Sequence, residues 1–100
     1  MNDFGFYIYL IRNKTPKKVC SDIVSRLKRV EKSILDCDIE EEYYKDKCET
    51  LLKLFSNKGD NEELKKVLIG PLPVGSYTIS TYKYAIRKYV GYMDWYTTTP

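Results

Sequence analysis

Thr15 to Leu35 reads TPKKVCSDIVSRLKRVEKSIL, and its periodicity decides the fold class. Val19, Ile23, Leu27, Val30 and Ile34 recur at steps of four, four, three and four. At about 100° per residue they share one arc of roughly 80°. Cys20, Val24 and Leu35 widen that arc on one side, while Lys18, Ser25, Arg29 and Lys32 occupy the opposite one. Thr15 stands where an N-cap is needed, with Pro16 at the first helical position, where its missing N–H does no harm. The stretch predicts a helix of roughly 30 Å at ~1.5 Å per residue. One face is built for burial; the other is polar and mostly positive.

Working outward, Asp3 to Asn13 spaces Phe4, Tyr7, Ile8, Leu10 and Ile11 as a helix would. The rival is a short strand, since FYIYLI is aromatic and β-branched; a helix is preferred because no strand partner with turn chemistry follows. Ile39 to Asn57 is a third helical region, opening on acidic residues that suit the helix dipole. Asp46 is a candidate cap for a fresh helix from Lys47, which leaves EEEYY as a separate turn. Ser56 to Asp60 reads as a stop, with Gly59 available for a left-handed conformation. Asn61 starts a short helix, EELKKVLI. Gly70 to Gly75 must be irregular, because Pro71 and Pro73 have no N–H to donate. The last helix runs from about Ser76 or Thr78 to Tyr96. Ile79, Tyr82, Ile86, Tyr89, Val90 and Met93 form its buried arc, opposite Ser80, Thr81, Tyr84, Arg87, Lys88 and Gly91. The expected fold is a compact all-α bundle of four to five helices, a single domain over residues 1–96 with a tail at 97–100.

One hundred residues are enough for one core without metal or disulfide staples. No apolar run reaches the ~18–20 residues of a membrane span, and FGFYIYLI has no basic region before it, so neither a membrane segment nor a secretory leader is expected. The expected location is cytoplasmic. Ten tyrosines are unusual, and suit core margins and contact surfaces alike. The net charge of +3 is unevenly spread. Residues 1–35 hold eight Lys/Arg against three Asp/Glu, residues 36–63 four against ten, and residues 64–100 five against one. Two basic thirds packed side by side would make one positive face that attracts phosphate.

Much chemistry is absent. The chain has no histidine, the usual general base. Cys20, Cys37 and Cys48 lack the close ligand pairs of a zinc site and read as ordinary thiols. Asp36, Asp38, Glu40, Glu41 and Glu42 lack the alternating spacing and turn glycine of a calcium loop and read as a solvated helix start. Gly70 and Gly75 have the outline of a phosphate loop, but no Lys-Ser/Thr follows. No catalytic site, metal or cofactor is expected.

What survives is the pair of polar helix faces. Lys18, Arg29, Lys32, Arg87 and Lys88 can each neutralise a phosphate, and Ser25, Ser80, Thr81 and Tyr84 can add neutral contacts. The pairing of FYIYLIRNKT and CSDIVSRLKRVEK with TISTYKYAIRKYV resembles the N-terminal core-binding domain of tyrosine recombinases and phage integrases, a SAM-like helical fold. Ser25-Arg26-Leu27-Lys28-Arg29, Thr78-Ile79 and Ala85-Ile86-Arg87-Lys88-Tyr89 stand at the matching places. Val19 and Ile23 depart from the Thr and Tyr frequent in that family, and these 100 residues have no room for the recombinase active site. The resemblance implies the DNA-clamping half alone, or that scaffold reused for something else; the family's contact surface carries over to Lys18, Ser25, Arg29, Ser80, Tyr84 and Arg87. The expected partner is duplex DNA, held by Lys18, Ser25, Arg29, Lys32, Ser80, Tyr84, Arg87 and Lys88, with a protein partner or a missing catalytic domain as further possibilities. The alternative is a small helical interaction or inhibitor protein of phage or mobile-element type. It would dock through its acidic middle and Tyr43, Tyr44, Tyr84, Tyr92 and Trp95.

Overall fold

The side-chain oxygen of Asn2 accepts a hydrogen bond from the Gly5 amide (3.1 Å) and starts α1 (Asp3–Arg12). Asp3 in the first turn and Arg12 in the last both suit the helix dipole. The computed structural model in which this is seen describes residues 1–70, 72 and 76–98, with the backbone alone for 76 and 77. Of the expected irregular connection, Pro71, Pro73, Val74 and Gly75 lie outside the described residues, as do Thr99 and Pro100 of the expected tail.

α2 (Lys17–Ser33) is the long amphipathic helix, with two corrections at its ends. Pro16, not Thr15, occupies the cap position: at φ −56°, ψ 143° it is still extended, while its carbonyl accepts from the Cys20 amide at 2.9 Å. No side chain caps this end. The helix also stops two residues before Leu35. Ile34 turns extended and pairs antiparallel with Leu68, the Leu35 amide donating to the Val67 carbonyl and the Ile69 amide to the Ser33 carbonyl, both at 2.8 Å. Backbone groups that would have closed another turn are satisfied across the chain instead.

The third helical region is divided where Asp46 suggested. α3 (Ile39–Asp46) is capped by Asp38, whose carboxylate accepts from the Glu40 (2.9 Å) and Glu41 (3.3 Å) amides. Lys47 and Cys48 then turn left-handed, and α4 (Glu49–Lys53) begins two residues later than expected, with Asp46 accepting the Thr50 amide and hydroxyl. A 3-10 turn, Ser56–Gly59, ends with Gly59 at φ +81°. α5 (Glu62–Val67) is capped by Asn61, which accepts from the Leu64 amide at 2.8 Å. α6 (Ser76–Thr98) continues past Tyr96, its Thr97 and Thr98 hydroxyls donating back to the Met93 and Asp94 carbonyls.

These elements form an all-α bundle in which α2 packs against both α6 and α1, and α3 against α4 and α6. The Cα radius of gyration, 13.2 Å, is that of a folded chain of this length. The core is built on Leu10, Ile23, Leu27, Val30, Ile39, Phe55, Tyr82, Ile86 and Tyr89. The buried stripe of α2 is turned slightly from the expected one: Cys20 is fully buried while Val19 is 36% exposed. On α1 it is Phe6 that is buried, edge-on to Tyr89 at 5.1 Å between ring centres, and Phe4 is 75% exposed. On α6, Ala85 and Tyr92 join the core, and Val90 lies at its margin. No described helix is long and apolar enough to cross a membrane.

Candidate nucleic-acid interface

The outward face of α2 forms one wall of a groove of about 440 Å³, lined by Ser25, Lys28, Arg29, Lys32, Ser33 and Gly70. Residues 25, 28, 29 and 32 share that face because they are three or four positions apart along one helix. Gly70 forms the opposite edge, where the chain returns from α5. A Cβ there would lie 3.3 Å from the Cα of Ser33, so a glycine lets this segment close against the end of α2. Lys28 is paired with Asp3 of α1 at 3.0 Å. Arg29 and Lys32 make no ion pair with a described residue.

A second groove, of about 310 Å³, lies on α6 between Tyr84, Arg87, Lys88 and Gly91, with Tyr9 of α1 as its far side. The Lys88 ammonium stands 5.4 Å from the centre of the Tyr84 ring, a cation–π contact that orients both side chains. Ser80 lies exposed on the turn preceding Tyr84, and Lys18 in the first turn of α2; neither lines either groove. The expected site residues are therefore gathered as two clusters, Ser25–Arg29–Lys32 and Tyr84–Arg87–Lys88, which share no lining residue. Tyr9 and Lys28 were missed. Nothing in the spacing of α1 says which of its faces meets α6, so Tyr9 carries no sequence signal of its own.

Ion pairing takes up four lysines among the described residues, Lys28, Lys47, Lys65 and Lys66. Lys47 is paired with Asp94 (3.2 Å), Lys65 with Asp60 and Glu62 (both 3.6 Å), and Lys66 with Glu63 (3.9 Å). By contrast Lys18, Arg29, Lys32, Arg87 and Lys88 have no ion-pair partner among the described residues. At the α2–α3 junction two carboxylates, Glu31 and Asp38, are committed to the fold. The Met1 amine lies between Glu31 (3.6 Å) and Asp38 (3.5 Å), and Glu31 also accepts the Ile39 amide at 2.9 Å. No group of described residues is arranged to hold a metal ion.

No family model, curated protein or solved structure matches this chain. The likeness to the recombinase core-binding domain accordingly rests on the quoted sequence patterns alone.

Two aromatic residues expected at a partner surface lie elsewhere. Tyr43 is buried, its hydroxyl donating to Asp94, and Tyr92 is buried among Phe6, Tyr9 and Tyr89. Tyr44, Tyr84 and Trp95 are exposed.

Proposed function

We propose that this chain is a non-catalytic DNA-binding module that holds duplex DNA through its phosphates. The basic faces of α2 and α6 supply the contacts: Lys18, Arg29, Lys32, Arg87 and Lys88 as cations, and Ser25, Ser80 and Tyr84 as neutral donors. The observation that carries this reading is that two clusters of cations without ion pairs stand on these outward faces. Lys47, Lys65 and Lys66 are paired with carboxylates, whereas Lys18, Arg29, Lys32, Arg87 and Lys88 on these two outward faces have no acidic partner among the described residues. Unpaired cations cost least to move from water to phosphate, because no internal ion pair has to be broken. Binding by such a module alone is weak and set by released counterions, about 10⁻⁴–10⁻⁶ M at physiological salt. The sequence resemblance to the recombinase core-binding domain points the same way. The alternative, docking on a protein through exposed tyrosines, is weakened by the burial of Tyr43 and Tyr92.

The test is fluorescence anisotropy on a labelled duplex across a salt series. Binding should fall steeply as salt rises, and Arg29→Ala combined with Arg87→Ala should abolish it while leaving the helical content intact. No binding by the folded protein at about 50 mM salt, or affinity indifferent to salt, rules the proposal out.

A further inference from the structure

Tyr9 belongs to two grooves at once. On one side it meets Tyr84, Arg87, Lys88 and Gly91; on the other it lines a second depression of about 310 Å³ with Ile8, Arg12, Asn13 and Trp95. The two depressions thus form one strip across α1 and α6, joined through the Tyr9 ring. Its cations are Arg12, Arg87 and Lys88, and no carboxylate lines it among the described residues. None of the three cations makes an ion pair with a described residue. Its rings are braced from below. Tyr9 packs on Trp95 (5.4 Å between centres) and on the buried Tyr92 (5.3 Å). Trp95 and Tyr84 are each 46% exposed.

Gly91 is an independent sign. It lies inside the 23-residue α6, where glycine is unfavourable relative to alanine. Packing does not demand it: a Cβ at this position would meet only the Tyr9 hydroxyl, at an ordinary 4.0 Å. A bare backbone here keeps the floor of the strip open between the rings and the cations.

We infer that this strip takes an unpaired nucleic-acid strand, its phosphates on Arg12, Arg87 and Lys88 and its bases against Trp95 and Tyr84. Positive charge along an open groove, with exposed ring faces beside it, fits a single strand, whose bases offer π-faces that a duplex hides within its stack. The inference extends the nucleic-acid reading above and shares Tyr84, Arg87 and Lys88 with it, adding Tyr9, Arg12, Gly91 and Trp95 and omitting α2.

Trp95 is the chain's only tryptophan, so its emission reports stacking directly. Full-length protein is titrated with a thymidine oligonucleotide of about 12 nucleotides, within the range of small single-strand sites. Tryptophan quenching should saturate, weaken with salt, and exceed the quenching by a duplex of equal length. Trp95→Leu and Gly91→Leu, each read by dye anisotropy, should weaken strand binding about tenfold or more. Arg12→Ala, which leaves the helix packing untouched, should weaken it as well. Arg29→Ala with Lys32→Ala should weaken duplex binding more than strand binding. Loss of duplex binding with strand binding kept would overturn the duplex proposal and leave this one standing. This inference fails if the oligonucleotide does not quench Trp95, if Gly91→Leu and Arg12→Ala both bind as well as the parent chain, or if an acidic peptide of equal charge quenches equally.

Discussion

The hydroxyl of Tyr43 donates to the carboxylate of Asp94 at 2.6 Å, joining α3 to α6 across 51 residues of chain. Lys47 reaches the same carboxylate at 3.2 Å, and the Tyr43 hydroxyl also lies 3.4 Å from the Thr97 hydroxyl. A tyrosine on an acidic segment, to all appearance a surface group, is thereby a buried tie between the middle and the end of the chain.

Removing that tie should cost stability. Tyr43→Phe and Asp94→Asn should each destabilise the fold by about 1 kcal/mol, below the usual range for hydrogen bonds to charged groups because Asp94 is itself part-exposed. The Tyr43 hydrogen bond holds the Asp94 carboxyl below its ordinary range, with Lys47 assisting. The contribution is therefore present above that range and is lost as the pH falls through the lowered value. Urea melts at neutral and acidic pH check it: the difference between parent and Asp94→Asn should shrink on acidification.

Tyr82 makes the opposite prediction. Its ring is fully buried beside Phe55, yet its hydroxyl has no hydrogen-bond partner among the described residues. An unpaired buried hydroxyl is a cost, so Tyr82→Phe should be neutral or stabilising, by up to about 1 kcal/mol. A clear fall in the denaturation midpoint would contradict this.

Two glycines should respond with opposite signs to one substitution. Gly59 is buried at φ +81°, and a Cβ there would come 3.0 Å from the Cδ1 of Ile79. Gly59→Ala should cost about 1–2 kcal/mol from the left-handed conformation, with crowding in addition. Gly91→Ala should instead gain about 0.5–1 kcal/mol, the ordinary helix preference, since the space above it is open. Chemical denaturation of the two variants side by side is the measurement.

For DNA, the slope of log affinity against log salt should approach about −4 to −5 if Lys18, Arg29, Lys32, Arg87 and Lys88 all meet phosphates, at roughly −0.9 per contact. Each of Arg29→Ala, Lys32→Ala, Arg87→Ala and Lys88→Ala should flatten it by about 1. Lys65→Ala, which removes a lysine already paired with Asp60 and Glu62, should leave it unchanged.

The thiols should report opening of the core. Burial, with nearby carboxylates assisting, pushes Cys37 and Cys48 up to about 12, and burial raises Cys20. Little thiolate exists in the folded chain near neutral pH, so alkylation by iodoacetamide should be slow and should accelerate in step with urea unfolding. Rapid labelling of the folded protein would count against this packing.

Local features carried well from sequence to structure. Asn61 heads its helix as expected, and Asp46 and Gly59 mark breaks where their side-chain and backbone chemistry placed them. The stripe on α2 was legible to within one position, because a 3.6-residue period reveals a buried face but not its centre. The pairing of Ile34 with Leu68 was not legible, since two short segments 34 residues apart carry no turn signal between them. Phe4 and Phe6 are equally apolar, and only the position of Tyr89 decides that Phe6 goes inside.

By itself the sequence determined the helices, most of their ends and the separation of basic from acidic thirds, all consequences of interactions within a few residues. The tertiary structure alone decided which cations are consumed by ion pairs, which tyrosines are buried, and that Tyr9 meets Gly91 across α1 and α6. Those depend on how faces far apart in the chain meet, and an amphipathic helix specifies that it must be covered without specifying by what.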